Sequence, residues 1–157
     1  MKNTAVITGA SGGLGREFAR LFAKDGYNLI LAARNGEKLQ KLKEETEKEY
    51  GVTAEIFICD LSETEAPEQL FAFCKENQAE IAALVNNAGF GDFGEFYRSD
   101  LIKQTEMVQV NDMALMRLTR LILPQMIARK SGKILNVASV AAFAPGPLMS
   151  VYYATKA

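Results

Sequence analysis

Five short, nearly continuous apolar runs punctuate the chain: TAVIT (4–8), YNLILAA (27–33), AEIFIC (54–59), IAALVN (81–86) and KILNVAS (133–139). Their length and β-branched content predict strands covered on both faces, as in a parallel sheet. Between them the period changes. Leu14, Phe18, Leu21 and Phe22 recur as a helical stripe that Gly26 ends. GEKLQKLKEETEKEYG (36–51) predicts a charged helix with a narrow apolar edge at Leu39 and Leu42, its charge run forming a solvated face. In APEQLFAFCKEN (66–77), Pro67 stands near a helix start. Ser99 and Asp100 can cap the region leading to a long helix from about residue 104 to 128, in which Pro124 predicts a kink. The order β-α-β-α-β-α-β-α-β predicts an α/β fold with a doubly wound parallel sheet, in one domain over 1–157.

Composition narrows the chemistry. The chain has 157 residues, is 48% hydrophobic and carries a formal charge of −1. With a pI of about 5.6, it offers no electrostatic reason to bind nucleic acid or an anionic membrane surface. It contains no apolar run of membrane-spanning length. The opening MKNTAVITG turns strand-like too early for a signal peptide, so a cytoplasmic protein is expected. Cys59 and Cys74 sit in apolar stretches without metal-ligand spacing and are expected as buried free thiols. Histidine is absent. That excludes His-based triads and most zinc sites, and no metal is expected. Acid–base chemistry falls to a carboxylate, Lys, Cys or Tyr.

Ligands of such sheets bind beyond the carboxyl ends of the strands. The first of these ends carries TGASGGLG, Thr8–Gly15, between a strand and an amphipathic helix. The spacing is TGxxxGxG, with Gly9, Gly13 and Gly15, rather than GxGxxG. Glycine allows close backbone approach, and the helix N-terminus offers N–H groups to a pyrophosphate. After the second strand an Asp or Glu would accept from the 2′-OH of NAD; here Ala33 is followed by Arg34. A guanidinium suits a 2′-phosphate, which favours NADP(H) over NAD(H), although a solvated surface arginine is the bland alternative.

The last stretch, VYYATKA, places Tyr152 four residues before Lys156, on one face of a helix beginning there. A phenol is a poor proton donor or acceptor near neutrality, and a nearby ammonium favours the phenolate. YxxxK alone is a weak motif. Ser139, thirteen residues before Tyr152 at the end of the fifth apolar run, adds a hydroxyl able to hold a substrate oxygen.

TGASGGLG, NNAG (Asn86–Gly89), VND with Asn111, Ser139 and YYATK, in that order and at these spacings, resemble the short-chain dehydrogenase/reductase family. The resemblance implies a Rossmann-type domain and an oxidoreductase that moves a hydride between a nicotinamide cofactor and a secondary alcohol or ketone. It implies a phosphate-side loop of Thr8, Gly9, Ser11, Gly13, Leu14 and Gly15, and an adenine-contacting pair Asp60 and Leu61. Asn87, Ala88 and Gly89 would shape the cofactor pocket and support the central sheet. Asn111, Ser139, Tyr152 and Lys156 match the catalytic tetrad. In that family Tyr exchanges the proton, Ser orients the reacting oxygen, Lys contacts the nicotinamide ribose, and Asn helps hold a water linking Lys to solvent. Tyr152 and Lys156 thus belong to cofactor binding as well. Tyr153 is a rival, but only Tyr152 has Lys at the right spacing. Bland readings stand beside these: Asn86 and Asn87 as turn formers, Asn111 as a structural kink, Ser139 as a cap, and Met107, Met113 and Met116 as packing.

The resemblance further implies a homo-oligomer, dimer or tetramer, in full-length form. It also implies further strands, a mobile substrate loop and the rest of the last helix beyond residue 157, so the sequence reads as C-terminally incomplete relative to the family. The helix from Tyr152 is expected to form little more than one turn. A catalytically silent dinucleotide-binding fragment is the alternative reading of the chain by itself.

Overall fold

The computed structural model describes residues 3–157. Strands β1 (Thr4–Thr8), β2 (Asn28–Ala33), β3 (Ala54–Ile58), β4 (Ile81–Asn86) and β5 (Lys133–Asn136) form one sheet. Its order is β3-β2-β1-β4-β5, and every pairing is parallel. The chain winds outward from β1 to β3, returns across the sheet to β4 and continues to β5. Helices α1 (Gly13–Lys24), α2 (Gly36–Tyr50), α3 (Ala66–Glu76), α4 (Leu101–Val108), α5 (Leu115–Arg129) and α6 (Ser150–Lys156) connect or follow the strands. The doubly wound parallel sheet expected from the alternating pattern is the fold observed.

Strand alternation divides the core into two layers. Ala5, Ile7, Leu29, Leu31, Ala83 and Val85 face α1 and α2, meeting Ala19, Ala23, Leu39 and Leu42. Val6, Ile30, Ala32 and Leu84 face the other way, against Leu70 and Cys74 of α3 and Leu118, Ile122 and Met126 of α5. Both faces of β1 are covered, and all five of its residues are buried.

The structure corrects several local expectations. Leu14 and Leu21 are exposed, and α1 instead buries Gly15, Ala19 and Ala23, because small side chains let it lie close on the sheet. The long helix begins at Leu101, where the Asp100 carboxylate accepts from the Ile102 N–H at 2.9 Å. It runs as α4, a π-helical turn over Gln109–Ala114, and α5, with Pro124 inside α5. Strand β5 stops at Asn136, so Ser139 lies three residues beyond it. Helix α6 starts at Ser150, two residues before Tyr152. Among the described residues, no helix is long and apolar enough to cross a membrane.

Both cysteines are free; Cys74 is buried and Cys59 half-buried. Burial pushes the Cys74 thiol up from 9.0 to about 12. Burial, with the Asp60 charge added, pushes the Cys59 thiol up from 9.0 to about 11. Below the unfolded-state value both states keep their thiol protons, and stability is unaffected. As pH rises from about 9 towards 11, the unfolded chain releases protons that the fold retains, so stability falls. Urea midpoints measured from pH 7 to 11 should therefore decline, and less steeply in a Cys59→Ala/Cys74→Ala variant. Equal slopes would show that the thiols contribute nothing.

Candidate functional site

Strands β1 and β4 are neighbours, yet the chain leaves them towards opposite faces of the sheet: α1 covers one, α5 the other. Their carboxyl ends therefore diverge and open a crevice. A compact hydrogen-bond cluster fixes the opening. The buried Thr8 hydroxyl donates to the Val85 carbonyl (3.3 Å) and accepts from the backbone N–H groups of Asn87 and Ala88 (3.0 Å each). The Asn87 side-chain amide donates back to the carbonyls of Thr8 (2.9 Å) and Gly9 (3.2 Å).

Above this cluster runs the glycine loop. Gly9 has φ +65°, a backbone conformation that favours glycine. Gly15 sits where any side chain would strike the Gly9 carbonyl and the Asn87 amide, so α1 can approach β1 only with glycine here. Gly12 at the N-cap of α1 contributes no side-chain hydrogen bond. The first N–H groups of this helix are thus left to an external acceptor.

Two clefts meet at this loop and share Gly9, Gly12, Ala88, Gly89 and Phe90 as a common floor. The first, about 350 Å³, extends beyond β2 and β3 and is bordered by Ser11, Arg34, Asn35, Cys59, Asp60 and Leu61. Asn35 caps α2 by accepting from the Lys38 N–H at 2.9 Å, which anchors the backbone next to Arg34. The Arg34 guanidinium is 75% exposed and lies 3.6 Å from the Asp60 carboxylate. Asp60 also accepts from the N–H (3.0 Å) and hydroxyl (2.8 Å) of Ser62. Partial burial opposes its charge, but the Ser62 donors and Arg34 outweigh that and hold the carboxyl below its ordinary value. Leu61 is buried beneath, against Ala66, Val110 and Ala114.

The second cleft, about 370 Å³, is bordered by Leu14, Asn87, Val137, Ser139, Tyr152 and Lys156. Ser139 begins the short 3₁₀ turn Val140–Phe143, and its hydroxyl oxygen accepts from the Ala141 N–H at 3.1 Å. It is therefore a cap, as the bland reading had it, and its hydroxyl proton is left to donate elsewhere. Lys156 donates from Nζ to the Val137 carbonyl at 3.2 Å. Tyr152 packs against Gly91, whereas the Tyr153 ring lies against Gly146, outside this cleft.

Asn111 lies behind the cleft wall, 3% exposed in the π-helical turn. Its side chain accepts from the Phe90 N–H (3.1 Å) and donates to the Phe90 carbonyl (3.0 Å) and the Thr155 hydroxyl (2.8 Å). Thr155 in turn donates to the Tyr152 carbonyl at 2.8 Å. Next to Asn111, burial pushes the Asp112 carboxyl up, partly offset by the Lys156 charge.

Most residues singled out in the sequence thus converge on the two clefts. Thr8 and Gly15 lie beneath them as supports, and Asn111 lies behind. Gly13 borders neither; it lines an outer groove with Ser11, Arg16, Lys38 and Lys41. Sequence reading passed over Gly12, Phe90, Val137 and Thr155. Only Thr155 had a signal, a hydroxyl within YYATK one residue before the lysine.

The profile of the short chain dehydrogenase family matches residues 3–157. The chain is 37% identical over 157 residues to the very-long-chain 3-oxoacyl-CoA reductase of Anas platyrhynchos, covering 98% of itself and 50% of that protein. It superposes on the short-chain dehydrogenase from Sphingobium yanoikuyae in complex with NADPH with a TM-score of 0.91 at 35% identity, covering 98% of itself and 60% of that chain. L-sorbose reductase from Gluconobacter frateurii, complexed with NADPH and L-sorbose, gives a TM-score of 0.92 at 30% identity, with 99% and 59% covered. The chain belongs to the short-chain dehydrogenase family. It spans about half the length of the curated relatives it matches.

The close contact at Gly15 has a direct test. Gly15→Ala should lower stability by roughly 1–3 kcal/mol, because overpacked backbone cannot yield cheaply. Gly12→Ala meets nothing within 4 Å and should lower the melting temperature less than Gly15→Ala, by no more than the weaker N-cap preference of Ala. Similar melting temperatures for all three proteins would remove the packing argument.

Proposed function

We propose that this chain carries the cofactor-binding and catalytic core of an NADP(H)-dependent oxidoreductase acting on a secondary alcohol or ketone. The observation that carries the reading is the meeting of Ser139, Tyr152 and Lys156 in one cleft that shares its floor with the cleft holding Arg34. The donor set fits a dinucleotide phosphate: an uncapped helix N-terminus beside a glycine loop, with an exposed guanidinium at the far end. A nicotinamide dinucleotide, when bound, supplies a hydride for reduction and accepts one in oxidation.

In reduction, Tyr152 gives its phenolic proton to the carbonyl oxygen of the substrate, and in oxidation it takes that proton from the alcohol. Ser139 directs its free hydroxyl proton at the same oxygen, since its own oxygen is engaged by Ala141. Lys156, steadied on the Val137 carbonyl, shares the cleft with Tyr152 and has protons left for ribose hydroxyls. Asn111 holds α6 and the Phe90 segment together through Thr155. Neither Thr155 nor Asn111 needs to touch the substrate for this. The two solved relatives bound to NADPH support the choice of cofactor.

Two measurements test the reading in the natural protein. Tyr152→Phe should lower kcat by on the order of 10²–10⁴-fold with a carbonyl substrate while leaving NADPH affinity near its starting value. Tyr153→Phe should have a mild effect, and the reverse ranking would place the proton donor wrongly. NADPH should bind more tightly than NADH, and Arg34→Asp should invert that order by repelling the phosphate and accepting from a 2′-OH. Equal affinities in the unsubstituted protein would refute the cofactor assignment.

A further inference from the structure

Arg34 does not face the first cleft alone. Its Nη1 lies 3.6 Å from Asp60 Oδ2, too long for a strong charge-assisted hydrogen bond but close enough for attraction. The pair spans the ends of β2 and β3, and both residues border the cleft that also holds Ser11 and Asn35. We propose that Asp60 is a specificity-determining residue that restrains selection for a 2′-phosphate by competing with that phosphate for Arg34. The proposal rests on the cofactor reading above and adds to it a second residue acting in the opposite direction.

The two partners differ in freedom. Asp60 is fixed by both Ser62 donors on Oδ1, at 3.0 and 2.8 Å, so its carboxylate cannot follow a guanidinium that turns away. Arg34 is 75% exposed on the side chain and bound only by attraction, so it turns at little cost. An arriving phosphate takes over the guanidinium, and the fixed carboxylate stays behind. Asp60 then loses its partner and repels a dianion sharing the cleft. Lys38 and Lys41, across Ser11 and Gly12 in the outer groove, have no ion-pair partner among the described residues. Glu17 and Glu45 line the same groove and offset much of that charge, so selection for the phosphate rests on Arg34, and Asp60 limits its size.

The test compares two ligands that differ by one phosphate, 2′,5′-ADP and 5′-AMP, by isothermal titration calorimetry. Asp60→Asn removes the charge but keeps a side-chain oxygen to accept from Ser62, so the local turn is retained. This variant should raise the affinity for 2′,5′-ADP relative to 5′-AMP on the order of threefold to tenfold, any change in an adenine contact being common to both ligands and cancelling in the ratio. The gain should shrink as ionic strength rises. In an Arg34→Gln background the same change should yield a smaller gain, because the competition is gone. Asp60→Ser carries the same expectations should the Asn variant fail to fold. A lower affinity ratio of 2′,5′-ADP to 5′-AMP, or an equal shift in both, would overturn the proposal and leave Asp60 as a support for Arg34 or as an adenine contact alone. Equal affinity of the unsubstituted protein for both ligands, unaltered by Arg34→Gln, would instead overturn the cofactor reading itself.

Discussion

Everything at the carboxyl edge of the sheet depends on how the ends of β1 and β4 are tied. Two side chains do this work: the Thr8 hydroxyl, satisfied on both its donor and acceptor sides, and the Asn87 amide returning to the carbonyls of residues 8 and 9. The backbone groups they meet sit at the last residues of β1 and β4 and just beyond them, where the ladder ends and the chains part. Unpaired buried polar groups cost on the order of 1–3 kcal/mol each, so the cluster is a condition for the crevice to exist at all. Gly15 is the complementary requirement, since a side chain there would drive α1 away from the same carbonyl.

A second set of bonds holds helix α6 at the second cleft. Helix α6 has seven residues and no side-chain cap, and a peptide of that length would not hold helical shape by itself in water. Tertiary anchors take the place of length: Thr155 to Asn111, Lys156 to the Val137 carbonyl, and the Tyr152 ring on Gly91. Asn111 can reach both Phe90 and Thr155 from a π-helical turn, in which the backbone is wider than in an α-helix. The local departure from regular helix thus coincides with the point where three separate segments are joined.

The sheet was legible because strands covered on both faces are apolar almost without interruption, and β1, β2 and β4 read that way residue by residue. Helix α1 was harder. Pattern reading gives weight to large hydrophobics, so Leu14 and Leu21 suggested the buried face, while the close approach to the sheet selected Gly15, Ala19 and Ala23. The wide turn at residues 109–114 had one local signal, Asn111 read as a structural kink, but its shape was not legible because its side-chain partners come from Phe90 and Thr155, 21 and 44 residues away. Ser139 was a candidate from its place thirteen residues before Tyr152, but its capping of the 3₁₀ turn depends on where β5 stops. Positions whose contribution is backbone alone, such as Gly12 and Val137, carry no chemical mark that a sequence could show.

The shared floor of the two clefts consists mainly of glycine and alanine backbone, with Phe90 as its one large side chain. A surface of that kind reads the outline of a ligand rather than its functional groups. On the reading proposed above, discrimination is displaced to the extremities, to Arg34 and Asp60 on one side and to the segments around Ser139 and Tyr152 on the other. Because no large polar side chain bridges the middle, free-energy changes at the two extremities should sum with little coupling. Under that same reading, such a scaffold can exchange one nucleotide preference for another while its choice of substrate stays as it was, and the converse is equally open to it.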